Sequence, residues 1–563
     1  MPSEPIEGVR LNAQGVRLKG LGVSPGMAGG PLHRMAAPTA LPETVPDFDD
    51  APAEVQRALQ ALEAVAAELS RRANAAEETA AEVLRAEAMI ATDPTLIEAI
   101  ESRVAAGRPA PWAVIDAIAE QRTVFESLGG YMAERVTDLE DIRDRAVAVL
   151  LGVPMPGLPD VGHPFILVAE DLAPADTALL DPQLVLGLVT SRGGPTSHTA
   201  ILAKALGLPA VVACAGILEV ADGTLIFVDG STGDVREVSA DEADAIQEQA
   251  EQERLLLEKT SGPGRTSDGE PINLLLNVGS AADLVGVPDG DFEGVGLFRT
   301  EFLYLGRTDP PTVDAQRAAY AELFTAMGGR KVILRTLDAG ADKPLPFLGL
   351  AAEDNPALGV RGLRVARTRP DVLAGQLRAV AEAAQATDAD IWVMAPMVAT
   401  RTEAADFAAQ VHELGLPKAG VMVEVPSAAL QATRLLEVVD FLSIGTNDLS
   451  QYTLAADRMC GELAHLLDPW QPALLQLIAG CAGAGREVDK PVSICGESAS
   501  DPLLALVFVG MGVTSLSMSA SSVPAVRASL AAHSMAQCQK LAELALAALD
   551  AVTARAEVAR AAD

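Results

Sequence analysis

Ser191-Arg-Gly-Gly-Pro-Thr-Ser-His198-Thr-Ala-Ile-Leu-Ala-Lys-Ala-Leu-Gly207-Leu-Pro209 is the stretch around which the chain is organised. The turn Gly193-Gly194-Pro195 leads to two capping-type hydroxyls, Thr196 and Ser197. His198 follows, then a helical run from Ala200 to Leu206, stopped by Gly207 and Pro209. This order predicts a helix start and a helix stop. It puts His198 in the first turn, where open N–H groups and the helix dipole favour an anion. An imidazole there can also carry a phosphoryl group covalently, because histidine is a nucleophile. On the turn alone, a capping histidine with a structural role fits equally well.

Outward from this turn, apolar runs at 165–169, 185–189, 210–212 and 224–228 predict strands, and 229–234, Asp-Gly-Ser-Thr-Gly-Asp, predicts a loop. The helix bearing His198 then belongs to a small α/β domain. The apolar pieces of 17–33, broken by Gly and Pro, are too small to fold alone and are expected to pair with strands from elsewhere. His33 reads as a turn or edge residue and His163 as a loop residue, not as ligands. Between these parts, 51–150 turns helical. Val55, Leu59, Leu62, Val65 and Leu69 step by threes and fours, Pro94 after Asp93 marks a helix start, and further apolar sides follow from Pro111 and from Met132. The result is a helical bundle inserted into the α/β domain, a docking module or a structural lid with nothing catalytic in it. Residues 240–260 predict a connecting helix, ending in a flexible break at Ser261–Gly264.

Beyond the break, apolar runs recur at 272–278, 294–298, 332–336, 391–397, 421–425, 441–444, 492–495 and 514–518, most separated by helical stretches. Strand alternating with helix implies a parallel sheet, and eight such units fit a (β/α)8 TIM-type barrel. An open doubly wound sheet is the runner-up, but no G-x-G-x-x-G follows a first strand. A barrel gathers its active groups where its strands end. Here those ends read Arg299-Thr-Glu301, Arg335-Thr-Leu-Asp338 with Lys343 shortly after, Pro396-Met397, Glu424-Val-Pro, Asn447-Asp448 with Arg458 beyond, and Cys495-Gly-Glu497. Any one of these charges alone is an ordinary rim salt bridge. Together the arginines offer forked donors for phosphate and carboxylate, and Lys343 adds a point charge. Glu424 and Asp448 offer two hard oxygens suited to Mg²⁺. Cys495 is the protic group suited to proton transfer at carbon, its bland alternative being a buried structural thiol.

The bulk numbers narrow the class. At 563 residues the chain implies about three or four domains. A net charge of −35 argues against nucleic acid and against an anionic membrane surface. Five dispersed cysteines without a C-x-x-C pair fit a reducing cytosol, and neither a membrane span nor a signal peptide is visible.

At these residues the chain resembles the phosphoenolpyruvate-utilising enzymes. The likeness rests on the His198 stretch, Gly296-Leu-Phe-Arg299-Thr-Glu301-Phe-Leu, Asp338-Ala-Gly-Ala-Asp-Lys343, Asn355-Pro-Ala-Leu-Gly-Val-Arg361, Val423-Glu424-Val-Pro, Ser443-Ile-Gly-Thr-Asn-Asp448-Leu-Ser-Gln-Tyr452-Thr and Cys495-Gly-Glu. Length, domain order and the inserted bundle are similar to the enzyme I family of the bacterial phosphotransferase system. The resemblance implies a swivelling phosphohistidine α/β domain (1–35 and 151–238), an inserted helical HPr-binding domain (36–150), a linker helix and hinge (239–264), and a barrel for phosphoenolpyruvate and dimerisation (265–563). It implies transfer of the phosphoryl group of phosphoenolpyruvate to His198 and then to a histidine of HPr, in the cytoplasm, by a homodimer serving sugar transport. It gives Arg299, Arg335, Asn447, Arg458, Lys343 and Arg361 to the substrate, Glu424 and Asp448 to Mg²⁺, and protonation of the enolate to Cys495. The alternatives are another phosphohistidine enzyme that uses phosphoenolpyruvate, or a non-catalytic regulatory homologue. The chain departs from the family pattern at Lys204, at Ala339 and Ala341, and in Arg458-Met-Cys-Gly, none of which removes a proposed catalytic group.

Overall fold

The computed structural model describes residues 16–562 except 36–40, 42–43, 74–84, 86, 129–135, 154, 160, 173–179, 182, 195–197, 259, 285–286, 288–289, 305–306, 308, 341–344, 352 and 459. It divides into two compact units, Met1–Ala250 and Glu251–Asp563.

In the first unit the opening strands β1 (Arg17–Lys19), β2 (Leu21–Ser24) and β3 (Met27–Arg34) join a sheet with β4 (Phe165–Ala169), β5 (Val185–Thr190), β6 (Ala210–Val212), β7 (Leu225–Asp229) and β8 (Asp234–Glu237). The order is β1-β8-β7-β3-β4-β5-β6-β2. The expected pairing with distant strands is found: β2 runs antiparallel to β6, and β3 lies between β4 and β7. The loop read at 229–234 is found as the turn 230–233 between β7 and β8; strand β8 itself, which has no long apolar run, was not foreseen. One reading needs correcting. His33 is no turn or edge residue. It sits in β3 opposite Leu167 of β4, and its Nδ1 lies 2.9 Å from Asp222 Oδ2. Both sheet faces are covered by aliphatic cores, as the scarcity of aromatics requires.

Four helices described between β3 and β4 are α1 (Ala51–Ala73), α2 (Pro94–Ala105), α3 (Ala110–Leu128) and α4 (Val136–Leu151). Local chemistry explains their starts. Asp93 caps α2 through Thr95 N at 2.8 Å with Pro94 in the first turn, and Glu54 of α1 accepts Ala110 N at 2.7 Å where α3 begins. Their shared core is aliphatic: Leu62, Val65, Leu69, Leu96, Ile100, Val114, Ile118, Leu139 and Ile142 are all buried. Full burial of each such side chain contributes about 1.5–3 kcal/mol, against the entropy of ordering the helices. α5 (His198–Leu206) follows β5, and α6 (Ala240–Glu258) leaves the sheet.

In the second unit eight parallel strands close into a barrel: β9 (Asn273–Val278), β10 (Gly294–Arg299), β11 (Lys331–Arg335), β12 (Asp390–Ala395), β13 (Lys418–Val423), β14 (Phe441–Ile444), β15 (Val492–Ile494) and β16 (Ser515–Met518). All eight apolar runs read from the sequence are these strands. The open-sheet alternative is excluded, because β16 pairs back onto β9. Around them run α7 (Val313–Met327), α8 (Pro370–Ala384), α9 (Arg401–Glu413), the short α10 (Pro426–Leu430) and α11 (Ala432–Leu436), α12 (Thr446–Leu454), α13 (Pro472–Val488), α14 (Pro502–Met511), α15 (Val523–Ala532), α16 (Met535–Ala547) and α17 (Ala551–Ala562). A large aliphatic core fills the space between strands and helices. Inside the barrel, Leu297, Ile333, Trp392, Met394, Met422, Phe441 and Cys495 form a separate cluster.

The segment after α6 is bonded to this unit. Gly262 N donates to Asp291 Oδ1 at 3.0 Å, Gly264 N to Glu293 Oε1 at 2.7 Å, and Arg527 Nη1 to Thr260 O at 3.1 Å. Among the described residues no helix is long and apolar enough to cross a membrane. The five cysteines are all free.

Candidate active site at the barrel rim

Strand alternation decides which side chains reach the barrel mouth. At the C-terminal ends, Arg299 closes β10 and Arg335 closes β11. Glu424 follows β13, and Cys495 follows β15. α12 starts directly after β14, which puts Asn447 and Asp448 in its first turn. Asn447 Oδ1 accepts Glu497 N at 3.3 Å. Arg361 comes from the segment between β11 and α8.

These groups are joined into one line of alternating charge. Arg335 Nη2 lies 3.0 Å from Glu301 Oε1, and its Nη1 lies 3.2 Å from Asp338 Oδ2 and 4.0 Å from Glu424 Oε1. Arg361 Nη2 lies 3.0 Å from Asp338 Oδ2, and its Nη1 lies 3.1 Å from Asp448 Oδ1. Arg458 Nη1 completes the line 3.7 Å from Asp448 Oδ2. Burial opposes the charge on Arg335, but Glu301, Asp338 and Glu424 outweigh it and hold its pKa above the ordinary value. Arg361 is held up in the same way, chiefly by Asp338 and Asp448. So tight a set of ions is stable only because each charge has a partner.

Glu424 is almost fully buried, and its carboxyl is pushed up to about 8. Burial is the main cause, followed by repulsion from Asp448 and Asp338. Its Oε2 accepts Met397 N at 2.7 Å. Met397 itself is held at φ +58, a left-handed conformation that a non-glycine residue adopts only under constraint. Gly445 leaves room for the same carboxylate, since a Cβ there would lie 2.8 Å from Glu424 Cγ. These contacts show how firmly the backbone places Glu424. The donor set fits a hard divalent cation. Glu424 and Asp448 are two buried carboxylates whose mutual repulsion a dication would remove, with coordination left for water and substrate oxygens.

Cys495 is buried, and burial pushes its thiol up to about 11, so it keeps its proton at neutral pH. Behind the rim, Gln376 of α8 ties β10 to β11. Its Nε2 donates to Thr300 Oγ1 at 3.0 Å and to Tyr320 OH at 3.1 Å, and its Oε1 accepts Leu337 N at 2.9 Å. Thr300 Oγ1 in turn donates to Arg335 O at 2.9 Å.

The structure therefore brings Arg335, Arg361, Arg458, Glu424 and Asp448 into one charged line, with Arg299, Asn447 and Cys495 at neighbouring strand ends. Lys343 lies outside the described residues, as do Thr196 and Ser197. His198 belongs to the first unit, as the first residue of α5. Nearby, Gly193 has φ +100 and Gly207 φ +66, the left-handed conformations that the turn and the helix stop require. Thr199 Oγ1 donates to Asp171 Oδ1 at 3.0 Å. Sequence reasoning placed Glu301 and Asp338 at strand ends but gave them no part in the site. Tyr452 and Gln376 were missed as well. Tyr452 OH accepts from Arg361 Nη1 at 3.3 Å, and its place in the quoted Asp448 motif was the available signal. Gln376 carried none, because it sits on an amphipathic helix far along the chain.

Comparison with known proteins agrees along the whole length. The PEP-binding domain of PEP-utilising enzymes matches residues 254–535, their N-terminal domain matches 19–135, and their mobile domain matches 161–233. A phosphoenolpyruvate-protein phosphotransferase of Streptomyces coelicolor is 51% identical over 543 residues, covering 96% of this chain and 98% of that one. One from Haloferax volcanii is 41% identical, covering 82% and 83% of the two chains. One from Bacillus subtilis is 36% identical, covering 93% and 96%. The chain thus belongs to the PEP-utilising enzyme family, among the phosphoenolpyruvate-protein phosphotransferases.

Proposed function

We propose that the protein moves the phosphoryl group of phosphoenolpyruvate onto its own His198 and then onto a histidine of HPr, the first step of sugar phosphotransferase transport in the cytoplasm. The observation that carries this reading is the charged line at the barrel rim. It sets arginines suited to phosphate and carboxylate beside a two-carboxylate cation site and a protonated buried thiol.

In this reading the phosphate and carboxylate of the substrate take up guanidinium donors of Arg299, Arg335 and Arg458, with Asn447, Arg361 and Lys343 at its margins. Phosphoryl transfer asks the protein mainly for position and charge neutralisation. Glu424 and Asp448 hold Mg²⁺, which supplies neutralising charge for the phosphate and for the departing enolate. His198 attacks as the neutral imidazole; its N–P bond forms as the P–O bond to the enolate breaks. Cys495 then gives its proton to the enolate carbon. His198 is in one unit and the rim in the other, so transfer brings the first turn of α5 to the rim and afterwards to the carrier. We assign carrier docking to the helical insert within 36–150, the swivelling role to 1–35 with 151–238, the hinge to 239–264, and substrate binding with homodimerisation to 265–563.

Incubation of the full chain with phosphoryl-labelled phosphoenolpyruvate and Mg²⁺ tests this. The expected product is an acid-labile, alkali-stable label absent from His198→Ala and passed on to added HPr. No label at all would refute the proposal, and a label that HPr does not accept would leave only a phosphohistidine enzyme of another kind.

A further inference from the structure

Arg299 and Arg335 are aimed by the strands they close, but no strand aims Arg361. It follows a loop, 353–360, in the segment between β11 and α8. The loop is closed on itself by its own side chains. Both carboxylate oxygens of Glu353 accept Val360 N at 3.1 Å, and Arg364 Nη1 donates to Leu358 O at 3.2 Å and to Gly359 O at 3.0 Å. Residues 353–356 and 358 are exposed, so burial holds little of this loop in place. Hydrogen bonds to its surroundings therefore decide where Arg361 points.

Tyr452 ties the loop to the site. Its hydroxyl donates to Ala357 O and accepts from Arg361 Nη1 at 3.3 Å. The direction is fixed, because a carbonyl only accepts and a guanidinium only donates. Tyr452 stands four residues after Asp448 on α12, so the two share a helix face. Arg361 Nη1 meets both, with Asp448 Oδ1 at 3.1 Å, while Nη2 reaches Asp338 Oδ2 at 3.0 Å. Among the described residues these bonds take three of the five N–H donors of Arg361 and leave two for an incoming oxyanion. Phenylalanine would fill the half-buried space of Tyr452 equally well. A hydroxyl that joins a loop carbonyl to an arginine of the site has a use beyond packing.

We propose that Tyr452 is a positioning residue for Arg361: its hydroxyl fastens the 353–361 segment to α12 and sets the guanidinium so that its two open N–H groups face the substrate. This inference rests on the substrate role given to Arg361 above. In that role Arg361 works at the margin of the substrate and not at the P–O bond that breaks. A contact made equally with substrate and transition state acts on KM and spares kcat. Loss of the Tyr452 hydroxyl therefore weakens substrate binding through Arg361 and leaves the chemical step in place.

The test uses the full chain with Mg²⁺ and follows labelling of His198 against phosphoenolpyruvate concentration. Tyr452→Phe keeps the ring and deletes both bonds. It is expected to raise the half-saturating concentration about threefold to tenfold and to keep the maximal rate within about twofold of wild type. Arg361→Lys keeps a cation between Asp338 and Asp448 but loses the fork, and is expected to raise that concentration at least as much. In the Arg361→Lys background Tyr452→Phe is expected to add nothing, because the tyrosine acts through the fork. Hydrogen exchange across 353–361, measured without substrate, is expected to quicken in Tyr452→Phe. An unchanged half-saturating concentration in Tyr452→Phe would overturn the proposal and leave the proposed function standing. Effects that add in the double variant would show that Tyr452 acts apart from Arg361, and would overturn it too. So would a fall in maximal rate and Tm with unchanged half-saturation, which marks a role in stability only. If Arg361→Lys itself labels normally, the substrate role of the guanidinium falls and this proposal with it. Absence of label in the wild-type chain would refute the proposed function, on which the inference rests.

Discussion

Replacing Gln376 by leucine tests whether the rim is positioned from behind. Gln376 is fully buried and makes three hydrogen bonds, to Thr300 Oγ1, Tyr320 OH and Leu337 N. Leucine keeps most of the volume, so no large cavity opens. Each lost bond costs about 1 kcal/mol net, and the stranded Leu337 N–H adds a desolvation penalty of about 1–3 kcal/mol. Leucine regains about half of that through its apolar surface, at about 25 cal/mol per Å². A net loss of about 3 kcal/mol is expected, which for a unit of this size lowers Tm by about 4–5 °C. The functional effect has a separate cause. Leu337 precedes Asp338, and Thr300 bonds the carbonyl of Arg335, so loosening Gln376 loosens Arg335 relative to Asp338. Misplacement by about 1 Å costs up to about 10²-fold in a reaction that depends on position. The assay pairs thermal unfolding of the full chain with the rate of His198 labelling against phosphoenolpyruvate concentration. A fall in Tm with unchanged labelling would confine Gln376 to stability. An unchanged Tm would refute the hydrogen-bond accounting itself. Thr300→Val, which deletes the link to Arg335 O and one of the three bonds of Gln376, should show the kinetic defect with a smaller loss of about 1–2 kcal/mol.

Other expectations follow from the same geometry. Gly445→Ala brings a Cβ to 2.8 Å from Glu424 Cγ, so overpacking should cost about 1–3 kcal/mol and raise the Mg²⁺ concentration needed for half-maximal labelling by about tenfold or more; an unchanged Mg²⁺ titration would argue against Glu424 as a ligand. Chelation with excess EDTA should abolish labelling, and added Mg²⁺ should restore it. In the helical insert, Glu68 accepts Arg71 Nε at 2.9 Å and Arg72 Nε at 2.7 Å, and these partners hold its carboxyl down at about 2. Its folded pKa lies below the unfolded one, so its contribution is present above about pH 4.5 and is lost as pH falls toward about 2. Because Arg71 is exposed and screened, that contribution should be about 1 kcal/mol, visible as a reduced acid dependence of unfolding in Glu68→Gln.

The strands and helices were legible because their signals are local. Eight apolar runs of strand length, Pro94 after Asp93, and the Gly207 stop each act through neighbours a few residues away. The same holds for the motif residues at strand ends, since a (β/α)8 reading puts every strand end at one rim. What pairs with what could not be read there. Arg361 meets Asp448 across 87 positions, and Ser443 meets Ser493 across 50, so their contact exists only once the barrel closes. Strand β8 was missed because it is short and polar, and is stabilised by its pairing with β1 and β7 rather than by its own apolar content. The glycine and proline at Ser261–Gly264 read as a flexible break, yet Asp291 and Glu293 bond its backbone to the barrel unit. Composition reports what a backbone is free to do; hydrogen bonds from distant side chains decide what it does.

By itself, then, the sequence determined the class of this protein: an α/β unit with a histidine-bearing helix and a helical insert, followed by a barrel with arginines, two acids and a cysteine at its strand ends. Periodicity and local capping suffice for that, because both are encoded within a helical turn or a strand. Only the tertiary structure decided the electrostatics. The ordinary reach of a salt bridge is a few ångströms, and closing the sheet on itself is what brings Glu301, Arg335, Asp338, Arg361, Asp448 and Arg458 within that reach, with Glu424 and Cys495 buried beside them.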